Sequence, residues 1–365
     1  MNMPSKLESR PFLSFLVLIG VITFTRAAIG GPLVEGLKLA AVTSSHDMEK
    51  LREERLIEGA KKEGKVVFWH TGGSAQEWEP LFNKFRQRYP FLAVEHWRAD
   101  DQQVHQKITM EARAGVFNVD LASTEINLIA GIKKTGLMKK YAWPNTARWS
   151  SQYKDPEGYW IARTVSCAAV TYNINLVSAS QAPKNWDDLL DSKWKDAMSL
   201  GKDSSDWVLM LWAAWGKEKT IRYLKNLSKN NIALGAGATA RTEMLAAGAY
   251  KIDLRLNLHQ ILEYQKRGAP IEWVKTDPML LKSTPVFIAE HAPHPNAVML
   301  FADWFTSLEA QQAYHDATGR FVPDPRVKSR VGEAIRDLKV VSFPAEMATH
   351  GNEAESIFRD IFLRQ

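Results

Sequence analysis

The sequence is poor in cysteine. Its 365 residues contain a single one, Cys167, so the chain cannot form a disulfide within itself. Its stability must therefore come from hydrophobic cores, and apolar residues make up 45% of the composition, which is enough to fill them. A chain of this length exceeds the usual size of one domain and predicts two.

Catalytic signatures are also missing. The sequence has no GxSxG nucleophile elbow, no HExxH zinc motif, no Walker loop and no CxxC pair. Its nine histidines do not pair at metal-ligand spacing except for His291 and His294, which we interpret as loop residues. These absences favour a protein that binds a molecule without transforming it, and they predict no catalytic residue, metal site or cofactor. An exported enzyme that uses His70 or His259 as a base is the alternative.

Charge is not concentrated along the chain. The 47 basic and 41 acidic residues leave a formal net charge of +6, with no dense run of Lys or Arg. The sequence also has no internal repeat and no low-complexity segment. A nucleic-acid surface normally shows as clustered basic residues, so no nucleic-acid partner is predicted.

The N-terminal apolar run is short. Phe12–Phe24 has 13 uncharged, mostly apolar residues after a positively charged start, whereas a membrane span needs roughly 20. We interpret residues 1–27 as a secretory signal peptide with cleavage between positions 27 and 41, which places the mature protein in the periplasm as a soluble protein. Pro32–Val42 matches no element and is predicted to be structureless, and Asp47 is predicted to cap the first helix.

A strand, a turn and a helix are predicted within Lys65–Tyr89. Val66–Trp69 is a short apolar run, which is typical of a strand buried on both faces. A helical stripe of apolar residues follows the turn, formed by Trp78, Leu81, Phe82, Phe85 and Tyr89. The backbone N–H groups at such a helix start lack partners and favour an anion. A plain turn that binds nothing is the alternative.

The alternation of strands and helices indicates fold class. Three βα units occur in a row, which is typical of a parallel sheet covered by helices on both faces. The rhythm breaks at Tyr141–Pro156, and Tyr159–Tyr172 is one long β-prone run that could leave one lobe and enter another. The rhythm returns near Lys275. We therefore predict lobe I over 47–143 plus 275–318, and lobe II over 144–274 plus 319–365.

Small residues at helix starts recur in both halves of the chain. In open α/β sheets such turns gather at the carboxyl ends of strands, where ligands bind. The candidate ligand-binding residues in these turns are Thr71, Gly72, Gly73, Ser74, Ser123, Thr124, Ser204, Ser205, Gly237 and Thr239. Three further side chains are candidate cationic partners, namely Arg163, Arg241 and His259. Because these groups are mainly donors, we expect a small anionic or strongly hydrogen-bonding solute, such as a carboxylate or phosphonate.

One turn also matches the dinucleotide fingerprint GxGxxA. It spans Gly235–Ala240 between a strand and a helix. A dinucleotide fold would place an acidic residue at the end of the next strand, whereas Asp253 lies near that strand's beginning. We interpret the turn as an anion-receptive helix start.

Several stretches together resemble a known family. They are GAKKEGKVVFWHTGG, FRQRYP, ITMEARAGVFNVDLAST, KDPEGYW, VTYNINLV, APKNWDDLLDSKWKDAM, KRGAPIEWV and APHPNAVMLFADWFTSLEAQQAY. In this order and spacing, over about Glu49 to Val322, they resemble extracellular solute-binding proteins of ABC importers, of the ferric-iron-type (family 1) group. The resemblance implies a two-lobed type II periplasmic-binding fold. Each lobe would be a mixed, mostly parallel sheet flanked by helices, and hinge strands would join the lobes. A monomer of this kind closes over a solute and docks on a membrane permease.

The sequence departs from the ferric-iron pattern at the expected ligands. Iron-binding members hold the metal with adjacent tyrosines, and this chain has no Tyr-Tyr pair. Asn257 stands where relatives often have a tyrosine, and His70 lies near the place of a first-lobe ligand. Iron or an iron chelate is therefore the alternative ligand, behind an organic anion.

Overall fold

The computed structural model describes residues 32–364 apart from Ala236, with side chains from Asp47 onward. The predicted signal peptide lies outside the described residues. None of the helices described is long and apolar enough to cross a membrane. The fold described below is that of Arg52–Gln365, which form one structural unit by their contacts.

Helices connect nearly all the strands. The described α-helices are, in chain order, α1 (Pro32–Glu63), α2 (Ala75–Arg88), α3 (Asp101–Arg113), α4 (Ile126–Lys134), α5 (Ser205–Trp215), α6 (Lys217–Ser228), α7 (Ala238–Ala246), α8 (Leu258–Lys266), α9 (Pro295–Phe305), α10 (Leu308–Thr318), α11 (Arg330–Ile335) and α12 (Gly351–Phe358). A π-helical turn, Arg359–Leu363, continues α12.

The described strands form one mixed sheet. They are β1 (Lys65–His70), β2 (Ala93–Arg98), β3 (Leu121–Ser123), β4 (Ile161–Asn173), β5 (Met198–Gly201), β6 (Ala233–Gly235), β7 (Ile252–Asn257), β8 (Ile271–Trp273), β9 (Met279–Ile288) and β10 (Val340–Ser342). The order across the sheet is β2-β1-β3-β9-β4-β7-β5-β6, with β10 beside β9 and β8 beside β4.

Two long antiparallel strands, β4 and β9, form the centre of the sheet. A first parallel set, β2-β1-β3, joins one end of this pair through β9, and a second parallel set, β7-β5-β6, joins the other end through β4. Both contacts with the central pair are antiparallel. The two sets therefore run in opposite directions, towards each other along the central pair.

Local sequence explains where the key helices begin and end. The Ser74 side chain accepts a hydrogen bond from the Glu77 N–H at the start of α2. Asp100 and Gln103 form a reciprocal capping box at the start of α3. Helix α10 ends at Gly319, which has a left-handed φ of 65° that favours glycine.

Three clusters of buried apolar side chains stabilise the fold. One packs α2, α9 and α10 on the first strand set, and another packs α7, α8 and α11 mainly on the central strands β4 and β9. The third is continuous across both sets, because it contains Ile129 of α4, Leu209 of α5 and Phe358 of α12. The C-terminal segment thus contributes to a core shared by both halves of the sheet.

Most predicted elements are confirmed, but some are wrong. Pro32–Val42, predicted to be structureless, is helical, and Asp47 lies within α1 and does not cap it. Asn185–Lys195 forms two 3₁₀ turns, Asp187–Leu190 and Ser192–Trp194, and no α-helix. The sequence there is rich in aspartate, which favours turns because its carboxylate bonds to nearby backbone N–H groups.

Candidate functional site

The opposed strand ends define the site. Ser123, the last residue of β3, pairs with Val286 of β9, which pairs in turn with Ile161 of β4. Asn257, the last residue of β7, pairs with Ala168 of β4. About seven residues of β4 separate these levels, or roughly 20 Å. The turns after both sets of strands therefore face each other across the middle of β4 and β9.

Arg163 lies in this middle stretch and is almost completely buried. Its guanidinium donates to Ser123 Oγ at 3.0 Å, to the Thr71 carbonyl at 3.0 Å and to the Tyr314 hydroxyl at 2.5 Å. Its centre lies 4.9 Å from the Trp78 ring. Burial lowers its pKa. The acceptors of these three bonds are neutral, so the charge favours an anion nearby, and the side chain fixes the turns after β1 and β3.

The turn before α2 requires glycine. Gly72 and Gly73 have φ values of 61° and 74°, in the left-handed region. A Cβ on Gly73 would also lie 2.8 Å from Trp78 Nε1, which donates to the Gly72 carbonyl at 3.0 Å. Thr71 is buried below the turn, whereas Ser74 is exposed at its end.

The turn after β3 is held by a carboxylate. Asp101 Oδ1 accepts from the Glu125 N–H at 2.8 Å and lies 3.4 Å from Thr124 Oγ1. Burial and the neighbouring Glu125 raise the pKa of Asp101 to about 6. Ser123 Oγ donates to the Pro285 carbonyl at 2.8 Å. Both hydroxyls of this turn therefore have protein partners.

Lys282 of β9 joins the two sides of the site. Its Nζ lies 2.7 Å from Glu125 Oε2, after the first strand set, and 2.7 Å from Asp206 Oδ2, after the second. Arg255 also pairs with Asp206. Burial alone would raise the pKa of Asp206, but the charges of Arg255 and Lys282 outweigh it and hold the pKa at about 2. The carboxylate is therefore ionised, and the network binds both sets of turns to the central pair.

A buried ion pair lies below the turns of the second set. Arg241 Nε donates to Asp253 Oδ2 at 2.9 Å, and the two side chains are 3% and 0% exposed. Asp253 Oδ2 also accepts from Ser199 Oγ at 2.7 Å, and its Oδ1 accepts from the Arg255 N–H at 2.9 Å. Arg241 Nη2 donates to the Arg255 carbonyl at 2.7 Å. The arginine is thus part of the framework under the turns.

Glycine ends two strands because Arg241 occupies the space beside them. A Cβ on Gly201 would lie 2.6 Å from Arg241 Nη1 and 2.7 Å from Ser204 Oγ. A Cβ on Gly235 would lie 2.8 Å from Arg241 Cδ. Neither position has a left-handed φ, so the requirement comes from space and not from backbone conformation.

We expect Gly201→Ala to destabilise the protein by about 1–3 kcal/mol, because added atoms in a packed site force neighbours to shift. Chemical denaturation would measure the loss. Gly131→Ala is the matched control, since a Cβ there meets nothing within 4 Å. If the two variants had equal stability, the steric role of Arg241 would be refuted.

Two histidines near the strand ends are held neutral. Burial and Arg163 lower the pKa of His70 to about 3, and its Nε2 lies 3.1 Å from His96 Nδ1. Burial and Arg320 lower the pKa of His259 to about 3. At neutral pH both rings therefore offer hydrogen bonds and carry no charge.

The predicted site residues all lie at or below the opposed strand ends, but they differ in whether their side chains already form hydrogen bonds within the protein. Those with side chains in protein hydrogen bonds are Ser74, Ser123, Thr124, Arg163, Thr239 and Arg241. Ser204 precedes α5 without forming a side-chain cap, and Gly237 precedes α7 in the same position. Direct contact of these residues with a ligand stays a prediction.

The sequence reasoning missed the charged network. Lys282, Glu125, Asp206 and Arg255 were not among the candidates, although Lys282 gave a signal as a lone lysine between apolar residues of a strand. Buried polar atoms without hydrogen-bond partners also lie at the strand ends: His70 Nδ1, Asp206 Oδ1 and Arg255 Nε. Since such atoms are rare in native proteins, they indicate a missing partner.

Within the part of the chain that the structure describes, no group of three or more His, Cys, Asp or Glu side chains could hold a metal ion.

Comparisons with known proteins bear on family and fold. Residues 118–338 match the family model of bacterial extracellular solute-binding proteins. Curated protein sequences contain no match. A similar solved structure is FutA (IdiA) of Trichodesmium in complex with iron and citrate, with a TM-score of 0.70, 15% identity and coverage of 82% of this chain and 99% of that one.

Two further solved structures are similar. AfuA of Actinobacillus pleuropneumoniae, a periplasmic binding protein with bound fructose 6-phosphate, has a TM-score of 0.69, 17% identity and coverage of 82% and 99%. The ferric binding protein of Campylobacter jejuni has a TM-score of 0.70, 16% identity and coverage of 81% and 99%. These matches confirm the predicted two-lobed type II α/β fold.

Proposed function

Since this chain belongs to the family of bacterial extracellular solute-binding proteins, we propose that it captures a small organic anion between the opposed turns. It then delivers the solute to the membrane permease of an ABC importer. We further propose that the mature protein is a periplasmic monomer that has no nucleic-acid partner and catalyses no reaction. The lobes would divide as 47–143 plus 275–318 and 144–274 plus 319–365.

The observation that carries this proposal is the set of unsatisfied polar atoms at the opposed strand ends. His70 Nδ1 lies at the end of β1 in the first set, Arg255 Nε lies near the end of β7 in the second, and Asp206 Oδ1 lies after β5 in the second. A buried polar atom without a partner costs about 1–3 kcal/mol. A polar solute held between the two sides would supply the missing partners and recover this energy.

An anionic group on the solute is supported by the donors around the site. The starts of α5 and α7 have no side-chain cap, and the helix dipole there favours negative charge. The buried guanidinium of Arg163 adds a full positive charge whose hydrogen-bond acceptors are neutral. AfuA, a similar structure, holds an anionic organic molecule, fructose 6-phosphate.

Iron bound as a chelate is the second candidate, because one similar structure contains iron together with citrate. An organic chelator would supply the oxygen ligands that hard cations need. The anion-binding turns would then contact the carboxylates of the chelator. Bare ferric iron is a weaker proposal, since Asn257 replaces the expected tyrosine.

Calorimetric titration should separate these proposals. The probes are inorganic phosphate, citrate, fructose 6-phosphate, ferric citrate and ferric chloride. We expect at least one organic anion to bind without iron. Ser204→Ala should weaken that binding roughly tenfold to a hundredfold, because it removes a donor to a charged group. Ser180→Ala, on an exposed loop of the second half, is the matched control and should change nothing.

Tight binding of ferric chloride with a visible tyrosinate absorption band, and no binding of any organic anion, would refute the anion proposal. Binding of ferric citrate but not of citrate would instead support the chelate. Turnover of a bound anion to a new product would refute the non-enzymatic proposal.

A further inference from the structure

A cavity lies beside the opposed turns. It has a volume of about 520 Å³ and lies between α2, α8 and the segment that follows α10. Its lining includes Glu77, His259, Gln260, Glu263, Arg320 and Arg330. His259 is the second residue of α8, two positions after the end of β7. Glu77 Oε2 would lie 3.1 Å from a Cβ on Gly73, in the turn before α2, so the cavity adjoins that turn and is large enough for an organic molecule.

Arg320 is fixed at its backbone but not at the end of its side chain. Its N–H donates to Thr318 Oγ1 at 3.2 Å, and its carbonyl lies 2.7 Å from His315 Nδ1. Its Nε, however, is buried without a hydrogen-bond partner. The guanidinium is thus held at the cavity with donor capacity to spare.

Glu77, in the same cavity, has an acceptor atom without a hydrogen bond. Its Oε2 is a buried acceptor without a hydrogen-bond partner, and it lies 3.7 Å from Arg320 Nη2, beyond hydrogen-bonding distance. An unused acceptor and an unused donor therefore lie in the same cavity. His259 is also neutral there, so its ring offers one donor and one acceptor.

The chemistry of these neighbours selects one kind of group. A second anion would be repelled by Glu77, and a cation would be repelled by Arg320. A hydroxyl both donates and accepts, so it can satisfy Glu77 and Arg320 together. Resting on the proposed function, we infer that this cavity binds the hydroxylated part of a polyol whose anionic group is bound at the opposed turns. The solute class is then a sugar phosphate or a sugar acid.

The test compares probes that carry one or both features. Inorganic phosphate carries only the anion, fructose only the hydroxyls, and fructose 6-phosphate and gluconate carry both. In calorimetric titrations of the full mature protein, at least one two-feature probe should bind about tenfold more tightly than inorganic phosphate. Arg320→Gln and, separately, Glu77→Gln should each remove about tenfold of that affinity. Both variants should weaken phosphate binding less than they weaken binding of the two-feature probe.

The matched control is Arg336→Gln, which makes the same change at an exposed arginine outside the cavity. Thermal melting of each variant confirms that it is folded. Equal weakening of phosphate and of the two-feature probe would overturn the inference, since Arg320 would then act only through its charge. If phosphate or citrate bound but no two-feature probe gained affinity, the polyol inference would fail and the anion proposal would stand. If no anion bound at all, both would fail.

Discussion

Replacing Asp253 with asparagine is expected to lower the free energy of unfolding by about 3–5 kcal/mol, the usual cost of breaking a buried ion pair by removing one charge. The change conserves volume but removes the negative charge that pairs with the Arg241 guanidinium. Both side chains are buried, with Arg241 3% and Asp253 0% exposed. Asparagine also cannot reproduce all of the acceptor bonds to Arg241, Ser199 and the Arg255 N–H. Urea denaturation monitored by tryptophan fluorescence would measure the loss.

The matched control is Asp337→Asn, which removes the same charge at an exposed position and should change stability by no more than about 0.5 kcal/mol. The double variant Arg241→Met with Asp253→Leu removes both charges but leaves Ser199 Oγ and the Arg255 N–H without their acceptor, so it should recover only part of the loss. A loss below about 1 kcal/mol for Asp253→Asn would show that the pair does not support the turns of the second set.

The protein should also lose stability in acid because of His70. This side chain is fully buried, and burial and Arg163 lower its pKa to about 3, compared with about 6.5 in an unfolded chain. Between these values the unfolded state binds a proton that the folded state does not bind. The contribution of His70 is therefore complete above pH 6.5 and falls by about 1.4 kcal/mol per pH unit as the pH drops towards 3.

Asp101 has the opposite effect on the pH dependence of stability over part of this range. Its pKa is raised to about 6, so the folded state binds the proton more readily, and stability rises as the pH falls from about 6 towards 4. The effect of His70 must therefore be measured as a difference. Between pH 6.5 and 4.5, His70→Asn should lower the slope of stability against pH by up to about 1.4 kcal/mol per pH unit relative to the wild-type protein, because it removes the His70 contribution and leaves that of Asp101. His291→Asn, at an exposed position, should leave the slope unchanged. Equal slopes for all three proteins would contradict the neutral state of His70.

Sequence periodicity was sufficient to predict most of the strands and helices, because each depends on neighbours within a few positions. The failures have identifiable causes. The full length of β9 is hidden in the sequence, because Lys282, Ser283 and Thr284 interrupt its apolar run and only Pro285–Ile288 has a strand pattern. In the folded chain those polar residues lie in the middle stretch between the two strand sets, where a solute site needs polarity.

The candidate site could be predicted only in part. The turns were found because glycine, serine and threonine at helix starts are a local pattern. The network of Lys282 with Glu125 and Asp206 was not, because it joins residues 157 and 76 positions apart in sequence. Arg163 contacts two turns, through Ser123 and Thr71. These contacts depend on the register of β4 in the sheet, which no local sequence pattern reveals.

The opposed directions of the two strand sets have a consequence for affinity. In the proposed binding mode neither set of turns is a complete binding site alone, so a solute would be bound fully only by molecules in which β4 and β9 hold the turns at the right separation. The apparent dissociation constant then equals the intrinsic constant divided by the fraction of molecules in that arrangement. Evolution could therefore change how tightly this receptor holds its solute by altering the stiffness of two strands, without changing any residue that contacts the solute.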